Sequence, residues 1–346
     1  MSIQQFDAWL DGNGPVAVTV LEELEPVMGR GSVFFPPTFA PPKGSDESPS
    51  YVIDETSDGR VALVDSVGAQ ANRIEPIFKR APYSELVPKA SVKIGSKDID
   101  LLDAGHRAAD AVIRFSDKWK DIRACFMEIR ERSNVSSLAR VAPTSILFGV
   151  WDSRDTQVKL PRLIGSTIRA YKVDKLTRAA QFFAATEKED IEGLAEQDFL
   201  SNVGLDDAPA GRTAGGVISR GGIRRETILN LVALRSLQGG SDEETAKVHR
   251  YVLGLGLVAL FAPYAKFLRE GCLLVPTEGK AAQVSLIDRT GKRDTLDLNE
   301  TVVLPYAKEA AAQFGVGPSW TAVFDKDVVK SAATAKKEAK PKKSAK

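Results

Sequence analysis

Apolar positions alternate weakly over residues 16–20, with valines and a threonine, and this predicts a first β-strand. Residues 29–50 hold Phe34-Phe35-Pro36-Pro37 and Pro41-Pro42 among small residues. That is too much proline for a helix or a central strand, so an excursion or arm is expected. Residues 61–64 read as a short apolar strand, and Asp65 or Ser66 then caps a helix. In that helix Val67, Ala71 and Ile74 recur at i, i+4 and i+7 as a core-facing stripe. Ser66, Gln70 and Arg73 keep the same spacing on the adjacent stripe, and Pro76 ends the helix near Glu75. A second helix is predicted over about 103–119, with Ala108, Val112, Phe115 and Trp119 on its apolar face and Arg107, Arg114 and Lys118 aligned on another.

Further along, residues 144–150 read as a strand, 151–157 as a turn and 165–173 as a strand with Arg169 and Tyr171 on one face. Five glycines within 211–222, interleaved with Arg212 and Arg220 and followed by Arg224 and Arg225, predict a loop. Ser241 with Glu244 three residues on is a capping box that starts a helix. Residues 283–297 read as a hairpin around Thr290-Gly291, and 303–314 as a last helix. Residues 330–346 form a lysine- and alanine-rich tail of low complexity, expected to be disordered. Strands and helices interleave without a regular βαβ rhythm, so the expected class is α+β, with one domain over 1–329.

Composition narrows the class. The chain has 346 residues, and 43% apolar with 27% charged residues excludes wholesale disorder. Two cysteines, Cys125 and Cys272, cannot make a disulfide framework and are expected to be buried thiols. The first seven residues carry no basic n-region, and the most apolar stretch, 251–264, is shorter than the ~20 residues a bilayer span needs and contains Pro263. A soluble cytoplasmic protein without a membrane partner is the expectation.

The formal net charge of +1 conceals an uneven distribution. Residues 107–178 hold 15 Lys/Arg against 8 Asp/Glu, whereas 186–207 hold 8 acidic residues and one lysine. Residues 212–235 carry five arginines and one glutamate, and the tail carries seven lysines and one glutamate. The first 329 residues alone carry −5. Positive charge gathered in particular segments of a body that is not basic suits a defined anion-binding groove, although ordinary solvated faces give the same arithmetic.

Motifs for several chemistries are missing. There is no G-x-x-x-x-G-K-[ST], no G-x-G-x-x-G after a strand and no G-x-S-x-G. His106 and His249 are the only histidines and no C-x-x-C is present, so no metal or other cofactor is expected. Catalysis is not supported. Arginines beside small, polar and aromatic residues suit an RNA backbone, because phosphates take forked guanidinium groups and bases take planar faces to stack on. Ser66, Gln70 and Arg73 also fit an exposed helix edge, and Arg107 and Arg114 a solvated face paired with Asp110 and Asp117.

The run Ser66-Val67-Gly68-Ala69-Gln70-Ala71-Asn72-Arg73-Ile74-Glu75 resembles the S-x-x-S-Q-A-N-R-x-E signature of one CRISPR family, with Ala69 where serine is expected. Gly105-His106-Arg107-Ala108-Ala109-Asp110 with Arg114 is similar to its second motif. The third spans Ala142-Pro143-Thr144-Ser145, Phe148-Gly149-Val150-Trp151-Asp152-Ser153-Arg154, Lys159-Leu160-Pro161-Arg162 and Ile168-Arg169-Ala170-Tyr171. The family resembled is the RAMP-superfamily backbone subunit of the type I-G (formerly I-U) Cascade complex. The likeness is good over about residues 33–173 and holds elsewhere only in order.

This resemblance implies a modified RRM-like (ferredoxin-like) palm with an arm over 29–60, a finger-like insertion over 79–140 and a thumb-like insertion over 186–225. It implies a non-catalytic scaffold whose copies line up in a helical filament along the spacer of a CRISPR RNA, beside other Cascade subunits, leaving the guide to pair with target DNA. Carried over by position, Ser66, Gln70 and Arg73 are expected at the RNA, with His106, Arg107 and Arg114 beside them and Arg154, Lys159, Arg162 and Arg169 following. Arg212, Arg220, Arg224 and Arg225 are added from the glycine-rich stretch by composition and order. Asp206 and Asp207 stand before it, but an RNA-cleaving role like that in type III relatives is not expected in a DNA-targeting type I system. The competing readings are a metabolic α+β enzyme with an unrecognised site and a DNA- or membrane-binding protein acting through its tail.

Overall fold

The computed structural model describes residues 3–45, 49–185, 190, 193 and 197–331. Most of the expected tail, from 332 on, and part of the expected thumb-like insertion, 186–189, 191–192 and 194–196, lie outside the described residues.

Strand β1 (Ala17–Pro26) is the spine of a mixed helix-and-sheet fold. One of its edges pairs with β4 (Ile223–Asn230), which pairs with β3 (Ile164–Tyr171), which pairs with β2 (Val61–Asp65). Its other edge pairs with Cys272–Pro276 near one end and with β5 (Gln283–Ile287) near the other. Every one of these pairings is antiparallel. Strict alternation fixes which side is covered: Ile223, Arg225, Thr227 and Leu229 of β4 point inward, and Arg224, Glu226 and Ile228 point outward.

Helix α1 (Val67–Ile74) and the long α2 (Asp242–Phe261) cover the inner face. From Tyr251 to Leu260 every residue of α2 is buried, as a helix apolar on all sides requires. It packs on α3 (Glu300–Phe314), where the Tyr251 and Phe314 rings stack 4.8 Å apart. Half of the expected capping box forms: the Glu244 N–H donates to Ser241 Oγ at 3.2 Å, while the Glu244 carboxylate pairs with Arg140.

Inward residues form two apolar clusters, one around Val18, Val20, Ile164, Leu229 and α2, the other around Leu24, Phe34, Ile168, Ile223 and Leu274. A polar layer crosses the sheet between them. Cross-strand register places Glu22 opposite Arg225 and Ser166 opposite Thr227, both pairs inward. Asp65, 1% exposed, anchors this layer, accepting from Gln70 Nε2 at 2.7 Å, Arg73 Nε at 3.0 Å and Arg269 at 3.1 Å.

Three local expectations are corrected. The glycine-rich stretch is not a loop: Ala208–Ser219 is a strand, paired antiparallel with Val173–Phe182 in a long hairpin that leaves the sheet between β3 and β4. At its base the Gly216 N–H donates to Tyr51 Oη at 2.7 Å with φ at +103°, and a Cβ there would meet Val33 Cγ1 at 2.5 Å. The predicted helix over 103–119 breaks into 3₁₀ turns and the short helix Ala111–Arg114, because Asp110 caps that helix and Arg107 takes φ +52°. The expected strand over 144–150 is instead the buried helix Pro143–Leu147, with proline at its first turn, followed by a two-stranded ribbon of Val150–Trp151 and Lys159–Leu160.

Candidate nucleic-acid interface

The three separated motifs interlock. Glu75, just past α1, accepts from Arg107 Nε at 2.8 Å, and both residues are almost fully buried, at 2% and 4% exposure. Arg107 Nη1 reaches the Gly149 carbonyl at 3.3 Å, and its guanidinium lies 5.5 Å from the Phe148 ring centre. Burial pushes the Glu75 carboxyl up to about 7 against the pull of Arg107. Arg114 donates to Asp152 at 3.1 Å. Burial opposes charge on Asp152, but the Thr156 N–H and hydroxyl together with Arg114 outweigh it and hold Asp152 below the usual carboxylate range.

A groove of about 410 Å³ opens over this junction. It runs from Gly105, His106 and Arg107 past Phe148 and Trp151 to Lys159 and Arg162. Among the described residues none of its lining side chains is a carboxylate. Trp151 is 56% exposed, and Lys159 Nζ sits 5.4 Å from its ring centre. Arg107 Nη2 is buried without a hydrogen-bond partner among the described residues. Gly149 has φ +82°, and a Cβ there would lie 2.9 Å from Arg162 Cγ and 3.0 Å from the Arg162 backbone nitrogen. Only glycine lets the chain entering Val150–Trp151 approach Arg162 this closely. The groove thus offers three exposed cationic or protonatable side chains, one partly satisfied buried guanidinium and one aromatic face.

Of the residues expected at RNA, His106, Arg107, Lys159 and Arg162 come together here, and exposed Arg154 stands next to the lining residue Ser153. A second group lies on the outer face of the sheet. Arg169 is 3.6 Å from Glu226, and the Arg224 guanidinium is 5.0 Å from the Tyr171 ring centre. Arg220, at the hairpin base, pairs with Asp174 at 3.0 Å. The side chain of Arg212 lies outside the described residues.

Four expected contacts turn inward instead. Ser66 caps α1, its Oγ accepting from the Ala69 N–H at 3.3 Å. Gln70 is fully buried, with its amide engaged by Asp65, Ser166 and Tyr264. Arg73 is held by Asp65 and by the Leu268 carbonyl at 2.6 Å. Arg225 is buried on Glu22 and beneath the Tyr264 ring, 5.2 Å from its centre. Gln70, Arg73 and Arg225 serve the polar layer, because helix α1 and strand β4 present them to the inner face of the sheet, whereas Ser66 serves its own helix.

The sequence reading passed over Trp151 and Glu75 as site residues. Trp151 stands in the third motif beside glycine and aspartate, and its pairing with Lys159 across a two-residue-wide ribbon would have marked it. For Glu75 and Asp65 the signal was a carboxylate within one helical turn of an otherwise cationic motif. Both cysteines are buried, and no helix among the described residues is long and apolar enough to cross a membrane. No curated protein matches the chain. Residues 18–175, which contain all three interlocked motifs and the whole groove, match the model of the family described as CRISPR-associated protein GSU0053 (Cas_GSU0053), so this part of the chain is similar to a CRISPR-associated protein family.

Proposed function

We propose that the chain is a non-catalytic, multi-copy backbone subunit of a type I-G Cascade surveillance complex in the cytoplasm, binding the CRISPR RNA through its sugar-phosphate backbone. The observation that carries this reading is the carboxylate-free groove in which His106, Lys159 and Arg162 surround Trp151 above Arg107. Cations spaced along a trough hold phosphates, and an exposed indole gives a base a face to stack on, with no base-edge reader required. A subunit that must accept every spacer needs this indifference to sequence.

The strand order β5–β1–β4–β3, antiparallel throughout with helices on one face, supports an RRM-like palm. The hairpin of Val173–Phe182 and Ala208–Ser219, inserted between β3 and β4, supports a thumb that begins before residue 186. Copies of the chain then follow one another along the guide, which pairs with target DNA while other Cascade subunits complete the complex. Co-expression with a repeat–spacer transcript tests the proposal. The purified protein should retain RNA whose sequence covers the spacer, for each of two unrelated spacers. A protein that emerges free of RNA, or with unrelated cellular RNA only, overturns it.

A further inference from the structure

We infer that Glu75 is a positioning residue for Arg107 in the groove, and that protonation of its carboxylate strengthens the groove's hold on phosphate. The inference rests on the RNA-binding reading of that groove. Its basis is geometric: the Glu75 carboxylate fixes Arg107 Nε at 2.8 Å and the Gly149 carbonyl fixes Nη1 at 3.3 Å. The remaining nitrogen, Nη2, is buried and unpartnered among the described residues, on a side chain that lines the groove. Arg107 also holds a left-handed backbone, φ +52°, a conformation a non-glycine residue keeps only where its surroundings impose it. Two nitrogens are fixed, and the third keeps an unspent N–H beneath the groove.

The carboxylate that fixes Arg107 also neutralises it. Glu75 faces Arg107, the Thr144 hydroxyl and, at longer range, Asp100, so Arg107 is the one cation among these neighbours. Arg107 and the Thr144 hydroxyl both favour the charged carboxylate, and burial outweighs them. A phosphate held in the groove above Arg107 brings a second negative charge close to the buried pair. In a water-poor site that repulsion is relieved when Glu75 takes up a proton from solvent, and Arg107 then faces the phosphate with its full charge. The neutral carboxyl still accepts from Nε–H, so the guanidinium stays in place. Linkage gives the sign: an anion that favours the protonated state binds more tightly as pH falls. The Glu75 carboxyl, raised to about 7 by burial, places the transition between pH 6 and 8.

His106 is the one imidazole among the groove's lining residues. The test therefore uses the full chain with His106→Asn throughout, and reads binding of a mixed-sequence single-stranded RNA by fluorescence anisotropy at pH 6 and pH 8 in constant salt. The expected result is about tenfold tighter binding at pH 6, abolished by adding Glu75→Gln, which should bind at both pH values as the parent does at pH 6. Glu75→Ala, lacking the acceptor for Nε–H, should bind more weakly than Glu75→Gln at both. If the Gln variant does not fold, calorimetry of the His106→Asn protein at pH 7 in two buffers of different ionisation enthalpy should show proton uptake on RNA binding. RNA binding with no pH slope in the His106→Asn protein, a full slope retained in Glu75→Gln, or no proton uptake overturns the inference and leaves the RNA-binding reading standing. Absence of RNA binding at either pH overturns both.

Discussion

Asp65 shows how one residue decides what its neighbours do. A carboxylate with 1% exposure is tolerable only when cations and amides surround it, and here Arg73, Arg269 and Gln70 do so at 2.7–3.1 Å. Those partners are consequently committed to it, Gln70 fully buried and the two arginines partly so, although two of them belong to a motif that reads as an exposed polar stripe. Asp65→Asn keeps the shape and removes the charge, leaving two arginines facing an amide. We expect a loss of about 3 kcal/mol in unfolding free energy, since removing one partner of a buried ionic cluster strands the others. Urea unfolding followed by circular dichroism measures it. RNA affinity of the folded fraction should not fall in parallel, because Asp65 does not line the groove. A parallel loss would mean that the polar layer and the groove act as one unit.

At the scale of elements, the ribbon of Val150–Trp151 and Lys159–Leu160 builds the groove, and it depends on a single small residue. Gly149→Ala adds a methyl at φ +82° within 3.0 Å of the Arg162 backbone nitrogen, so either the ribbon or Arg162 must move. We expect a stability loss of about 1–3 kcal/mol together with weaker RNA binding, and hydrogen exchange should rise first at ribbon amides such as Asp152 N–H. Unchanged affinity in the variant would show that Trp151 and Arg162 need not be held together. Elements with a clear period were legible from sequence: β1, β2, α1 with its Ser66 cap, the helix started by Ser241 and the hairpin around Thr290-Gly291 all form as read. What misled was local pattern overridden by distant contacts. The stretch Ala208–Ser219 reads as a loop, yet Val173–Phe182 pairs with it from 26–46 residues away, the register shifting where its glycines fall. Residues 103–119 have helical spacing, yet the Glu75–Arg107 pair and the Asp110 cap break the run. The groove was half legible, because cations are visible in a sequence while the side of a strand or helix they occupy depends on register. Arg224 and Arg225 are adjacent in sequence and on opposite faces of β4, one exposed beside Tyr171 and the other sealed under Tyr264.

For the whole molecule, the distribution of charge sets what kind of polyanion binding is available. The first 329 residues carry −5, so no long-range field draws nucleic acid to the body at large, and the affinity must arise where cations are local. The groove meets that condition with Lys159 and Arg162 exposed, and both stand clear of acidic neighbours in its lining. Each phosphate neutralised releases condensed counterions, which makes log K fall against log salt with a slope of about −0.7 per contact for single strands. Replacing both side chains, Lys159→Ala with Arg162→Ala, should therefore reduce the magnitude of that slope by about 1.4, and do so equally for two guide RNAs of unrelated spacer sequence. The lysine-rich tail gives the competing source of charge, with seven lysines in residues 330–346. Removing residues 332–346 should leave most of the slope in place. If tail removal abolishes it while the double variant does not, the groove is not where the phosphates lie. If the double variant weakens one spacer and spares the other, contacts to base edges are at work, and a backbone-reading scaffold is the wrong description.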